Sequence, residues 1–358
     1  MLGRRRLALG GGAAAAVFAA GSSGDAGGRR AAAQTRDLTI VSWGGAYQDA
    51  QREVYFRPFA QRTRTRLLEE TWDGGIEVLR QRVASGTNAW DLVQVEGDEL
   101  LLGTAEGLFE PLDWDAIGGR DNYIPEAVSP CGVGAILRSF VLAWNRARLP
   151  DEIAPRGWAD LFDIRRIPGK RAFRQGPKTT LEIALLADGV APGDVYRLLG
   201  TRAGVDRAFR RLDSIRSELV FWERGSQPPL WLANGEVVLS VAYNGRIWAA
   251  NADAGHNLGL LWTHHLMALD SWVVMKGSPN LSRAQEFLRF AGRPEVQVDL
   301  PPRIPYGMTA RGVNERLPPH VVLRMPTGHL DQGVRISDRF WAAHRDALTR
   351  RFEHWLGA

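Results

Sequence analysis

The chain has 358 residues, of which 45% are hydrophobic and 24% are charged, and its formal net charge at pH 7 is +5. This composition is typical of a soluble globular protein and excludes a fibrous or low-complexity chain, while the length suggests two domains. The one cysteine, Cys131, excludes a framework of internal disulfides.

Residues 1–33 have the pattern of an export signal peptide. Residues 4–6 are arginines, residues 7–20 are mildly apolar, and residues 31–33 are alanines that offer a cleavage site before Gln34. Consecutive arginines before a weakly hydrophobic stretch resemble a twin-arginine signal, with general export and a disordered basic tail as the alternatives. We therefore expect a periplasmic protein.

The signal segment carries much of the positive charge. Five arginines and one aspartate lie within residues 1–33, so the formal charge falls from +5 to +1 when they are removed. The remaining sequence shows no clustered basic face, which argues against nucleic-acid binding. His264 and His265 are adjacent and would point to opposite faces of a strand, so we expect no metal and no cofactor.

The first half of the chain alternates strand and helix patterns. Residues 37–43 predict a strand, followed by a helix that stops near Pro58, and residues 90–95 predict the next strand. This alternation favours an α/β fold with a mostly parallel sheet. Trp43 and Tyr47 follow the end of a strand, where open α/β sheets bind ligands, although ordinary packing is the alternative for each.

The second half continues this pattern. Residues 134–144 and 237–241 predict strands, and residues 179–187 and 281–291 predict helices. Another helix follows the second of these strands, with Asn244 as its expected N-cap.

Asp270 is the anomaly of the pattern, because residues 266–275 otherwise read as a buried apolar strand. A carboxylate there is desolvated, which is tolerable only beside a cation, hydrogen-bond donors or a cavity. The alternative is that Asp270 starts the strand and accepts backbone N–H groups.

Eight segments occur in an order that resembles the bacterial extracellular solute-binding proteins of ABC importers, in the spermidine/putrescine-binding branch. The segments are residues 41–45, 90–93, 106–113, 167–171, 181–189, 242–245, 269–271 and 304–307. The resemblance extends over residues 36–358. It implies an α/β clamshell of two lobes, each a mostly parallel sheet flanked by helices, with the ligand between the lobes.

The resemblance also implies lobe boundaries. Lobe one is expected to comprise residues 36–142 and 270–313, and lobe two residues 146–266 and 318–358. The crossings between the lobes would then lie near Trp144 and just before Asp270.

In that family, aromatic walls hold the aliphatic part of the ligand and acids hold its ammonium groups, both favourable contacts for a cation. The matching ligand-binding residues are Trp43, Tyr47, Glu96, Glu182, Tyr243, Asp270 and Tyr306. Three departures, Ala268, Thr179 and the turn Glu96-Gly97-Asp98, make a shorter diamine, an amino acid derivative or another small cation as suitable as a long triamine. A role in the turn or as a helix cap remains the alternative for Glu96, and solvation or pairing with an arginine for Glu182.

The resulting hypothesis is a monomeric, non-enzymatic periplasmic protein that captures a small cationic solute, a polyamine or another amine, for the permease of an ABC importer. One alternative is an exported hydrolase that uses Asp270 with a histidine. The other is an exported ligand-sensing module, which needs the same closing clamshell.

Overall fold

The computed structural model describes residues 36–86, 88–150 and 152–357. The segment expected to be the signal peptide, residues 1–33, lies outside the described residues. Among the described residues, no helix combines the length and apolar character needed to cross a membrane.

Strands and helices alternate along most of the chain. The strands are β1 (Leu38–Ser42), β2 (Leu67–Thr71), β3 (Leu92–Glu96), β4 (Gly132–Asn145), β5 (Arg171–Arg174), β6 (Leu219–Trp222), β7 (Leu239–Tyr243), β8 (Leu258–Val274), β9 (Gly307–Met308) and β10 (Val334–Arg335). The helices are α1 (Gly45–Gln51), α2 (Arg57–Thr63), α3 (Ile76–Ala84), α4 (Gly97–Ala105), α5 (Thr180–Ala187), α6 (Val195–Leu199), α7 (Arg202–Asp213), α8 (Gln227–Asn234), α9 (Asn244–Asp253), α10 (Leu281–Ala291), α11 (Pro294–Gln297), α12 (Pro319–Val322) and α13 (Asp338–Gly357).

These strands form a mixed sheet in the order β2-β1-β3-β8-β4-β7-β5-β6, with β9 added to β4 and β10 to β8. The groups β2-β1-β3 and β7-β5-β6 are each parallel, as expected from the alternation of strands and helices. The long strands β4 and β8 lie antiparallel between the two groups. The α/β class predicted from sequence is confirmed, with an antiparallel centre.

The apolar side chains pack in two regions, one around each end of the strand order, and we call these regions the two sides of the sheet. The first side is the part of the chain around β1, β2, β3, α10 and the following loops; the second side surrounds β5, β6, β7, α5, α7 and α13. In β4, Ile136 packs on the first side and Phe140 on the second. In β8, Ala268 packs on the second side and Trp272 on the first. Both long strands therefore pass from one side to the other.

The change of side in β4 falls earlier than the crossing near Trp144 that the resemblance implies. Arg138 and Asp270 lie at this passage: in the β4–β8 register, Arg138 is paired with Ala268, and Ile136 with Asp270. Val321 and Met325 pack on the first side, whereas the resemblance places residues beyond 318 in lobe two.

Three local expectations differ from the structure. The helix expected to stop near Pro58 continues to Thr63, because a π-helical turn over Arg52–Phe56 precedes the proline. The N-cap of α9 is Tyr243, and the amide of Asn244 instead accepts from the Ser139 N–H and donates to the Pro305 carbonyl. Asp270 lies within β8 and does not start the strand.

Candidate ligand-binding site

A cavity opens where the carboxyl ends of the parallel strands from both sides meet. It contains about 490 Å³ of atom-free space, part of it open to solvent. Strands β1, β2, β3, β5, β6 and β7 each contribute a residue at or just after the strand end, as expected for ligand sites of α/β sheets. The lining residues are Trp43, Tyr47, Trp72, Asp73, Glu96, Ile136, Arg138, Arg174, Glu223, Gly225, Tyr243, Arg246 and Tyr306.

The cavity brings together most of the site residues expected from sequence. Trp43, Tyr47, Glu96, Tyr243 and Tyr306 line it, and Trp43 extends an aromatic wall by stacking on Trp72 with ring centroids 5.3 Å apart. The remaining two expected residues, Asp270 and Glu182, are not among the residues that line the cavity.

Asp270 is fully buried beside the cavity and binds an arginine of the neighbouring strand. Arg138 Nε donates to Asp270 Oδ1 at 3.0 Å and to Oδ2 at 2.8 Å. Burial raises the pKa of the Asp270 carboxyl, while the Arg138 guanidinium opposes that shift. The cation that a buried carboxylate requires is therefore supplied by the protein itself.

Glu96 joins three cations that come from different parts of the chain. Its Oε1 accepts from Arg138 Nη2 and from Arg174 Nη1, each at 2.7 Å, and its Oε2 accepts from Lys178 Nζ at 2.6 Å. Burial disfavours the charged form, but these cations together hold the pKa of Glu96 well below its ordinary value. Glu96 is also the N-cap residue of α4, so the capping alternative and the position in the cavity wall both apply.

Glu182 lies inside the second side of the sheet, away from the cavity lining. Its Oε1 accepts from Trp341 Nε1 at 2.7 Å and from the Tyr196 hydroxyl at 3.0 Å. Burial raises the pKa of this carboxyl. The residue neither is solvated nor pairs with an arginine; Trp341 of the C-terminal helix covers it.

Two hydrogen-bond donors of the cavity wall have no partner among the described residues. They are Trp43 Nε1 and Arg138 Nη1, both atoms buried, and the Arg138 residue is 4% exposed. A buried donor without an acceptor costs about 1–3 kcal/mol, and more when it is charged. These donors therefore favour a ligand that brings an acceptor oxygen.

Arg246 adds a third cation to the cavity. Its Nη2 donates to the carbonyls of Trp43 at 3.0 Å and Gly44 at 2.6 Å, and no carboxylate in the described part of the chain pairs with it. Gly45 permits this approach, because an added Cβ would lie 2.5 Å from Arg246 Nη1, and its φ of +53° also favours glycine.

Acidic groups occur at the exposed edge of the cavity. Asp73 follows β2 on the first side, and Glu223 follows β6 on the second side. Asp73 is largely exposed, and its nearest ion-pair partner, Arg224, is 3.9 Å away. The cavity thus has cationic donors within and carboxylates at its edge.

The sequence patterns did not identify the three arginines of the cavity. Arg138 offered a signal comparable to that of Asp270, because it interrupts a long apolar strand. The only signal in the sequence for Arg174 and Arg246 was position, at the end of β5 and in the first turn of α9. Among the described residues, no group of acids, histidines and cysteine has an arrangement that would hold a metal ion.

Comparison with known proteins places the chain among solute-binding proteins. Residues 60–311 match the family model of the bacterial extracellular solute-binding protein. The gamma-aminobutyric acid-binding protein of Pseudomonas aeruginosa is 41% identical over 325 residues, which cover 90% of this chain and 92% of that protein.

Two solved structures agree with this assignment. A gamma-aminobutyric acid (GABA) receptor is 31% identical with a TM-score of 0.78, covering 90% of this chain and 98% of that chain. The periplasmic binding protein AgtB from A. tumefaciens R10, in complex with agropinic acid, is 29% identical with a TM-score of 0.82, covering 90% and 99%.

The substitution Asp270→Asn tests the role of the buried ion pair. It leaves Arg138 buried with one anion fewer, and breaking a buried pair costs about 3–5 kcal/mol. We expect urea denaturation of the ligand-free protein to show a loss of this order. Glu286→Gln is the control, since it breaks an exposed pair with Arg283 that contributes about 0.5 kcal/mol or less. Equal stability of the two variants would contradict a structural role of Asp270.

Proposed function

Because the chain belongs to the bacterial extracellular solute-binding proteins and is a substrate-binding protein of an ABC transporter, we propose that its ligand is a small amino acid with the amine at the far end from the carboxylate. GABA is the compound of this class that two of its relatives are named for. The observation that carries the proposal is a pair of buried donors in residues of the cavity wall, Trp43 Nε1 and Arg138 Nη1, which have no partner in the described part of the chain.

The carboxylate of the ligand fits the inner part of the cavity. A carboxylate there accepts from Arg138 and Trp43, and Arg246 adds a positive charge with no carboxylate partner among the described residues. Hydrogen bonds between a guanidinium and a carboxylate are the stronger, charge-assisted kind.

The amine of the ligand fits the outer part of the cavity. Asp73 and Glu223 provide carboxylates there, and Trp43 and Trp72 provide an aromatic wall for the carbon chain or the ammonium. This proposal keeps the ligand amine that was expected from the sequence, but different acids contact that amine.

A purely cationic solute fits the cavity less well. Glu96 and Asp270, the acids expected to hold ammonium groups, are already bound by cations of the protein. An inner ammonium group would also lie close to Arg138 and Arg174, and like charges in a poorly hydrated site repel each other. The proposal therefore favours an amino acid over a diamine.

The family also indicates the location of the protein and its partner. A periplasmic or extracellular location and a permease partner follow from its role in an ABC transporter. We propose the periplasm in particular, a monomer, and ligand capture by closure of two lobes that correspond to the two sides of the sheet. The relatives are solute-binding proteins, which supports a non-enzymatic role at the level of the family.

A panel of three compounds with the same four-carbon chain tests the proposed ligand class. GABA has a carboxylate and an amine, butyrate has the carboxylate alone, and putrescine has two amines. Loss of one partner of a buried charged contact costs about 2–5 kcal/mol. We expect calorimetry to give a GABA affinity more than tenfold above either analogue. Putrescine binding as tightly as GABA would contradict the carboxylate end of the site.

The acids at the edge of the cavity have a separate test. We expect Glu223→Gln and Asp73→Asn to weaken GABA binding severalfold and to leave the weaker butyrate binding unchanged, because butyrate has no ammonium group. Glu126→Gln is the control, since Glu126 is a half-exposed acid that does not line the cavity. An equal effect on GABA and butyrate would show that these acids do not contact the amine.

A further inference from the structure

A second set of charges connects the two sides of the sheet next to the ligand cavity. The acids Asp98 and Glu99 belong to α4 on the first side, and the cations Lys178 and Arg345 belong to the second side, before α5 and within α13. None of these four residues lines the ligand cavity. The acids and the cations thus face each other across the boundary between the two sides, which we call the cleft.

Asp98 is the centre of these contacts. Its Oδ1 accepts from Lys178 Nζ at 2.6 Å, and its Oδ2 accepts from Arg345 Nε at 2.8 Å. The Asp98 side chain is fully buried, whereas Lys178 is 11% and Arg345 19% exposed. Burial disfavours the charged form of Lys178, but Asp98 and Glu96 raise the pKa of Lys178 above its ordinary value. The contact is therefore between charged groups.

A close approach of two helix starts accompanies the ion pairs. Gly97 begins α4 and Asp338 begins α13, and a Cβ added to Gly97 would collide with the Asp338 carboxylate. Gly97 is not in the left-handed region, so an alanine there is tolerated by the backbone. The absence of a side chain at Gly97 therefore allows the two sides to approach each other closely here.

The segment that carries Lys178 is held in a strained conformation. Thr179, the next residue, has a φ of +72°, which is rare and unfavourable for a β-branched residue. Such strain persists only where surrounding contacts enforce it. Lys178, next to this strained residue, contacts Glu96 and Asp98 across the cleft.

We propose that Asp98, Lys178 and Arg345 form a latch that stabilises the closed arrangement of the two sides without touching the ligand. Opening the cleft separates each cation from Asp98, while the contacts within each side stay intact. The apparent affinity of a ligand that binds only the closed form falls in proportion to the closed fraction. The latch therefore sets the affinity from outside the ligand site.

Two variants test the latch by different routes. Asp98→Asn removes the shared carboxylate, and Gly97→Ala places a methyl group against Asp338 while keeping every charge. We expect small-angle X-ray scattering of both ligand-free variants to give a larger radius of gyration than the wild type. We expect calorimetry with GABA to give affinities at least fivefold weaker, and saturation with GABA to restore the wild-type radius.

The control is Arg351→Gln, which lies in the same helix as Arg345 but pairs with Asp206 on the second side. Ligand-free radii of both variants equal to those of the wild type and this control would overturn the latch, whatever the affinities. The comparison of ligand-free radii does not depend on the identity of the ligand. If GABA proves not to bind, the proposed ligand fails while this part of the test stands.

Discussion

The buried chain of charges from Asp270 through Arg138 to Glu96 is the interaction on which the site depends. It lies where β4 and β8 pass from one side of the sheet to the other. Burying these charges is costly, and only pairing at 2.7–3.0 Å makes it tolerable. The pairing fixes the direction of the Arg138 guanidinium, whose buried Nη1 has no partner among the described residues. In the proposed function, a structural requirement of the crossing strands thereby also supplies a ligand-binding donor.

Glu96 extends this chain in two directions. Through Arg174 it shapes the wall of the ligand cavity, and through Lys178 it reaches Asp98 and the latch. Glu96 therefore connects a cation of the proposed ligand site with a cation of the proposed latch. If a ligand carboxylate binds near Arg138 as proposed, it changes the electrostatic potential at Glu96, and binding and closure are then linked through charges that lie within hydrogen-bond distance of each other.

The sequence predicted the architecture well, because local patterns determine it. Alternating strands and helices indicated the two parallel groups, and residues next to strand ends, such as Trp43 and Tyr243, proved to line the cavity. Asp270 was recognised as an anomaly from its apolar neighbours alone. Its partner was not, because Arg138 is 132 residues away in sequence and only the strand register brings the two together.

Long-range contacts also explain the other differences. Glu182 has the residue type of a ligand-binding acid, but Trp341, 159 residues further along the chain, covers it. The cationic character of the cavity arises from Arg138 within β4, Arg174 at the end of β5 and Arg246 in the first turn of α9. No local pattern shows that such residues converge, so the sequence did not indicate that these cations would lie beside the predicted acids.

The orientation of a bound amino acid tests this account most directly. A crystal structure of the protein with GABA should place the ligand carboxylate within hydrogen-bond distance of Arg138 Nη1 and Trp43 Nε1. Its ammonium group should point towards Asp73 and Glu223. The reverse orientation, with the ammonium group against Glu96 or Asp270 and the carboxylate at the exposed edge, would contradict the account.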